Sequence, residues 1–325
     1  MKKFVLIFVS LLSLLLLPIN VKSYSPYDIT TKDGRKIPFS EYKTKVEKKD
    51  LSHQEGTPPI TATTLIESNI TDFKPSKLKP EKVYDKNTFL PLKIDYNNTI
   101  KPFAVIGKDG RKKISNTLVS PYNKIAYFYG ENSKYGYSCT ANVIAKNKIL
   151  TNAHCVYDFD RKEYIKYGFA IPGMKDSHYS LGAYEVDDYL IPGGYIKEGK
   201  SIYDYAVVKL KATPGYNIAD KTGSFGISQV SKLKGTTISI TGYPADLNTK
   251  EGKISQYEMS GKVTSESSDL AFYKIDTAGG QSGSAMLNTK NRIVGVHNAA
   301  YTSGENGGPK MTSAVMTFVS YGKGW

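Results

Sequence analysis

Gly279-Gly280-Gln281-Ser282-Gly283-Ser284 carries the most informative chemistry in this 325-residue chain. A serine hydroxyl is a weak nucleophile near pH 7. It becomes useful when an imidazole takes its proton, a carboxylate orients that imidazole, and backbone N–H groups meet the developing oxyanion. A nucleophile on a tight turn also needs small neighbours, so that substrate can approach and two amides can point at one oxygen. Gly280 and Ser282 are the expected amide donors. A glycine–serine cluster by itself is ordinarily a loop, so the other parts have to be found elsewhere.

Two segments supply them. Thr151-Asn152-Ala153-His154-Cys155 offers the imidazole, and Tyr203-Asp204-Tyr205-Ala206-Val207-Val208 a carboxylate entering an apolar strand. Burying Asp204 is costly unless it is well paired, and holding a ring nitrogen of His154 would pair it. Asp187 and Asp188 are rivals in a more polar stretch. The order His, Asp, Ser, and Ser284 where a second glycine belongs, exclude the G-x-S-x-G elbow of α/β-hydrolases.

Residues 1–23 read as a secretory signal: Lys2 and Lys3, an apolar run over residues 4–17, then Val21-Lys22-Ser23. That run is shorter than the ~18–20 apolar residues a spanning helix needs, so no stable membrane anchor is expected and the destination is extracellular. In an exported chain the two cysteines, Cys139 and Cys155, are expected to form one disulfide that pins the backbone of His154.

Residues 24–103 are rich in Lys, Pro and Thr, and Gly34 and Gly56 are the only glycines there. This composition predicts a loosely structured propeptide. From Ala104 onward there are 27 Lys and Arg against 19 Asp and Glu, so +8 of the net charge of +14 belongs to this part. The lysines are scattered and accompany no recognition motif, which excludes a nucleic-acid reading. Short apolar stretches alternate with turns over residues 124–129, 141–149, 205–210, 236–241, 270–275, 293–297 and 313–319, predicting an all-β domain, sandwich or barrel. Residues 139–155 read as a hairpin turning at Lys146-Asn147-Lys148. There is no metal-ligand cluster and no cofactor motif.

Four stretches together resemble the secreted glutamyl endopeptidases of Gram-positive bacteria: Cys139-Thr140 through His154-Cys155, Tyr203-Asp204-Tyr205-Ala206, Ile238-Ser239-Ile240-Thr241-Gly242-Tyr243-Pro244, and Asp276-Thr277-Ala278-Gly279-Gly280-Gln281-Ser282-Gly283-Ser284. The resemblance covers about residues 104–325. It implies two six-stranded antiparallel β-barrels with His154, Asp204 and Ser282 in the cleft between them, in a monomer acting on protein or peptide substrates. Ala285 departs from a proline common in the family, and the short C-terminus at residues 321–325 suggests a curtailed terminal helix.

The same resemblance implies specificity. Thr277 and His297 stand where the family binds the carboxylate of a glutamate preceding the scissile bond, with Asp a poorer substrate. Phe103-Ala104-Val105-Ile106-Gly107 resembles the mature start, so cleavage is expected at Phe103–Ala104 or Ala104–Val105, leaving an α-amino group near the pocket. Asp276 favours a competing reading, a trypsin-like pocket for Lys or Arg. A narrow, toxin-like protease would carry the same triad, and a non-catalytic binding module could share the fold. Gln281 replaces the aspartate that captures the new N-terminus in trypsin-like zymogens, so activation must work differently.

Overall fold

The computed structural model describes residues 24–46, 51–59, 105–134, 136–211 and 217–325. The signal reading of residues 1–23 lies outside them, as do Phe103 and Ala104 at the expected cut. Among the described residues, strands run β1 (Ile29–Thr31), β2 (Lys36–Ile37), β3 (His53–Gln54), β4 (Lys112–Lys113), β5 (Ile125–Glu131), β6 (Gly136–Ala145), β7 (Lys148–Thr151), β8 (Tyr157–Asp158), β9 (Glu163–Tyr164), β10 (Tyr167–Pro172), β11 (Tyr184–Pro192), β12 (Ala206–Leu210), β13 (Ile227–Ser228), β14 (Thr237–Gly242), β15 (Tyr257–Glu266), β16 (Leu270–Tyr273), β17 (Ala285–Asn288), β18 (Ile293–Val296), β19 (Ala299–Ala300) and β20 (Asn306–Pro309).

The alternation along β12 shows how the first sheet closes. Ala206, Val208 and Leu210 point one way, into a core with Phe128, Ala141, Val143 and Ile149. Tyr205 and Val207 point the other way, into a second core beneath the C-terminal helix. A strand buried on both faces in this manner reads as a continuous apolar run. Strands β5, β6, β7, β12, β11 and β10 pair antiparallel in that order, and β10 pairs back to β5 and β11, closing a six-stranded barrel. Each fully buried Val, Leu, Ile or Phe contributes about 1.5–3 kcal/mol relative to exposure.

The second sheet runs β19-β20-β16-β15-β14-β17-β18-β13-β3, with β4 on β15. It curves as a half-barrel around Ile238, Ile240, Val263, Tyr273, Met286 and Val294. Its far sides meet at a single bridge between Gly295 and Lys310, so the second of the two expected barrels closes much less completely than the first.

Residues 313–319, expected as a strand, belong to a twelve-residue helix, Ser313–Gly324. Val315, Met316, Phe318 and Val319 are buried at helical spacing, and the Thr312 side chain caps the start by accepting from the Val315 amide. The terminal helix is therefore not curtailed.

Residues 24–46 and 51–59 also depart from the expected loose segment. Strand β1 pairs antiparallel with β11, as Ile29 with Pro192 and Thr31 with Leu190, and Ile29 and Tyr42 are fully buried. Composition concealed this because the apolar anchors are few and widely spaced.

Candidate active site

The hairpin of β6 and β7 turns at Lys146-Asn147, as expected, and delivers His154 just past the end of β7. Cys139 on β6 and Cys155 are joined by a disulfide, so the backbone beside His154 is tied to the adjoining strand. Asp204 follows a short 3-10 turn, Ser201–Tyr203, and is wholly buried. Its carboxylate grips His154 twice, accepting the backbone amide on Oδ1 at 3.0 Å and meeting ring Nδ1 with Oδ2 at 2.8 Å. Asn152 Nδ2 donates to the Asp204 carbonyl at 2.6 Å. This two-point grip fixes the ring's rotation and assigns the Nδ1 proton to the carboxylate side, leaving Nε2 as the basic atom. The rivals lie elsewhere: Asp187 pairs with Lys209 at 3.1 Å, and Asp188 accepts the Tyr189 amide.

Ser282 sits on a turn that requires glycine on both sides. Gly280 has φ +87° and Gly283 φ +86°, in the left-handed region that side chains resist. A Cβ at Gly280 would run into the Tyr243 carbonyl, and one at Gly283 into the Thr140 carbonyl. The Ser282 hydroxyl is buried and has no hydrogen-bond partner among the described residues. A buried polar group is ordinarily satisfied, so this hydroxyl is left available to a ligand.

Sequence reasoning missed what holds this turn. Thr140, on the first barrel, donates its hydroxyl to the Gly280 carbonyl at 2.8 Å and its amide to the Ser282 carbonyl at 2.8 Å. It also accepts the Tyr243 amide at 3.1 Å, and Asn142 Nδ2 donates to the Gly283 carbonyl at 2.7 Å. The nucleophile's turn belongs to the second sheet but hangs from a strand of the first. Thr140 lies next to Cys139, and that proximity was the available sequence signal.

Around the turn lie the residues expected to form a pocket. The Thr277 hydroxyl is buried without a partner among the described residues. His297 is fully buried, its Nδ1 lies 2.9 Å from the Tyr273 hydroxyl, and burial lowers its pKa to about 3, so the ring is neutral at pH 7. Asp276 accepts the amides of Ile106 at 2.6 Å and Gly110 at 2.8 Å. Val105, next to Ile106, is partly exposed. Gln281 Oε1 accepts from the Ala278 amide at 3.0 Å and from Arg111 at 3.4 Å. The Arg111 side chain is buried and paired with Asp109 and Asp246.

A family model described as Trypsin matches residues 115–321. The chain belongs to the trypsin family. It is 33% identical over 185 residues to the glutamyl endopeptidase of Bacillus licheniformis, a match covering 57% of this chain and 54% of that protein. Thus the matched region spans only about half the length of that curated relative. A solved glutamyl endopeptidase, in complex with MPD, is 49% identical at a TM-score of 0.65, covering 68% of this chain and all of that one. A Bacillus subtilis protein named extracellular metalloprotease is 28% identical over 232 residues, covering 69% of this chain and 71% of that protein. Among the described residues, Cys139, His154 and Cys155 are grouped closely enough to suggest a metal site. Two of the three are joined in the disulfide and offer no thiolate, so this group does not fit a metal.

The trypsin-family chain thus presents a buried carboxylate–imidazole pair, an unpartnered serine hydroxyl and a glycine turn in one place. An imidazole held by a carboxylate in this way is chemically suited to take a proton from an alcohol. Among the described residues no helix is long and apolar enough to cross a membrane.

Proposed function

We propose that this chain is an endopeptidase whose nucleophile is Ser282, activated by His154 and Asp204. Ser282 Oγ attacks the scissile carbonyl carbon while His154 Nε2 takes its proton, and the amides of Gly280 and Ser282 donate to the oxyanion. His154 then protonates the leaving amine as the C–N bond breaks. Water, deprotonated by the same ring, releases the acyl group and regenerates the serine. The observation that carries this reading is the double grip of Asp204 on His154. Ser282→Ala is expected to lower kcat by several orders of magnitude with the fold intact, His154→Ala nearly as much, and the double variant little more, because such residues act as a unit. Substantial activity remaining in Ser282→Ala would overturn the mechanism.

The substrate reading is cleavage after glutamate, with aspartate second. Two relatives carry the name glutamyl endopeptidase. Thr277 offers an unused buried hydroxyl. His297 is neutral, with Nδ1 beside the Tyr273 hydroxyl, and in the tautomer that carries its proton on Nε2 the ring can donate to a carboxylate. After cleavage before Val105, the new α-amino group adds a positive charge beside Asp276 and Thr277, attractive to an anionic side chain. The trypsin-like alternative is weakened because both Asp276 oxygens are already taken by backbone amides. Mass spectrometry of the peptides released from a denatured protein tests this. Termini at Glu are expected, and termini at Lys or Arg would reverse the assignment. Export, removal of residues 1–23 and processing at the Phe103–Val105 stretch belong to the same proposal.

A further inference from the structure

We infer that residues 24–46 and 51–59 form a brace that remains bound to the enzyme after cleavage before Val105 and backs the loop carrying Asp204. This rests on the processing reading above. It differs from the usual expectation for a pro-segment, which leaves once cut.

The docking is built on both partners. Strand β1 occupies the Leu190–Pro192 edge of β11, with β2 outside it. The amides of Gly193 and Gly194, at the start of the helix Gly193–Glu198, donate to the carbonyls of Asp28 at 2.6 Å and Pro26 at 2.7 Å. Both glycines are buried, so removing the segment would leave their amides without those acceptors. The helix Phe39–Val46 lies on the C-terminal helix, with the Tyr42 ring 5.1 Å from that of Tyr321. Tyr42 is fully buried and its hydroxyl donates to the Tyr27 carbonyl at 2.6 Å. Ile29, Ile37 and Tyr42 share one apolar core with Tyr205, Val207 and Phe318. Lifting the segment off would open that core to water.

Residues 51–59 clamp the other sheet. Strand β3 pairs with β13. Arg292 donates to the Gln54 carbonyl at 3.1 Å and pairs with Glu55. The fit is recorded in glycines on both sides. A Cβ on Gly56 would strike the Ser224 carbonyl, and one on Gly223 (φ +69°) the Thr57 carbonyl. Of the two glycines in residues 24–103, Gly34 makes the β1–β2 turn at φ +79° and Gly56 fits where only hydrogen can. A segment meant only to be discarded has no need of such a match.

The link to chemistry runs through the tyrosines flanking Asp204. The Tyr27 ring meets Tyr203 edge-on at 5.6 Å, and Tyr205 is packed in the core that Tyr42 completes. The residues on either side of the carboxylate therefore rest on the N-terminal segment. Tyr27 is thus a positioning residue: it acts on His154 only through the loop that carries Asp204.

The test starts from the full chain, allowed to process, with N-terminal sequencing and native mass spectrometry on the same sample. The expected result is a new terminus at Ala104 or Val105 together with a mass that still includes the fragment ending before it, separable only in denaturant. A new terminus on a fully active species whose mass lacks that fragment overturns the brace and leaves the processing reading standing. A fully active chain with an intact Tyr24 terminus overturns both. Tyr27→Ala in the full chain leaves the strand pairing and the glycine contacts in place. It should lower kcat about tenfold with KM within twofold, since the loss falls on orientation of the general base and not on substrate binding. An unchanged kcat, with the thermal midpoint alone lowered, overturns the backing of Asp204.

Discussion

Asp276 Oδ1 accepts the amide of Ile106 at 2.6 Å, so a carboxylate placed where a trypsin-like enzyme would bind lysine instead holds the backbone at Ile106. Oδ2 is occupied by Gly110 in the same way. The arm 105–110 is thereby fixed beside Thr277, and with it the position a new terminus at Val105 would take.

Asp276→Asn replaces one acceptor oxygen by a donor that faces an amide. Cleavage after Glu should fall about 10- to 100-fold in kcat/KM, chiefly through KM, as a misplaced α-amino charge costs a few kcal/mol of attraction. Peptides with Lys should be poor substrates before and after the change. Steady-state kinetics on a matched Glu and Lys pair checks this.

Thr140→Val keeps the shape of the side chain and removes the hydroxyl that ties Gly280 and Tyr243 together. The Gly280 carbonyl would be left unsatisfied, costing about 1–3 kcal/mol of stability. The amide of Gly280 would lose its aim, for a further fall in kcat of about 10- to 100-fold. Denaturant midpoints and kcat on one preparation separate the two. A stability loss at constant kcat would make Thr140 a packing residue only.

Arg111→Met removes the cation that reaches Gln281 and pairs with Asp109 and Asp246. Both carboxylates are partly solvated, so the loss should be about 1–3 kcal/mol, below that of a fully buried pair. Hydrogen bonding to Arg111 holds Asp109 below the usual carboxylate range. Its contribution is therefore present above the carboxylate's unfolded value and lost as pH falls through the lower folded one. The gap between wild type and variant should narrow as pH falls below about 4, as urea titrations at pH 7 and pH 3 would reveal.

His297 carries a different acid dependence. Unfolded, its imidazole takes a proton near its ordinary value of about 6.5. Folded, burial lowers that to about 3. Between these values the unfolded chain binds more protons, so stability is full above about pH 6.5 and declines as pH falls toward 3. His297→Gln should lose less stability than wild type between pH 7 and pH 4, by about 3 kcal/mol, and should also lose its preference for Glu.

Much of the site was readable because its parts are local in sequence. His154 beside Cys155, Asp204 between two tyrosines, and Ser282 among glycines each occupy one short segment whose chemistry is visible alone. The strands at 124–129, 205–210 and 236–241 were readable for the same reason, since their apolar residues are contiguous. Strand β15 was not, because only Tyr257 and Val263 along its ten residues are buried and polar residues such as Ser260 and Lys262 are exposed between them. Residues 313–319 read as a strand because Val315, Phe318 and Val319 are apolar and partly β-branched, and so brief a run hardly displays the 3.6 period. Thr140 was marked only by its neighbour Cys139, while its contacts with the nucleophile's turn and the anchors of residues 24–46 and 51–59 were illegible on physical grounds. Their partners are more than a hundred residues away, and neither residue type nor spacing encodes a contact between sheets.

The disulfide between Cys139 and Cys155 ties the histidine's backbone to the strand that also carries Thr140. It therefore spans the two things that must be aligned, the base and the nucleophile's turn. Such a bond forms where thiols are oxidised and not where they are kept reduced. A newly made chain in a reducing cytoplasm has two thiols at this point, and the histidine's backbone lacks its covalent tie to that strand. Under the export proposed above, the covalent tether would close only once the chain has left the compartment where thiols are kept reduced, coupling the holding of the base to location.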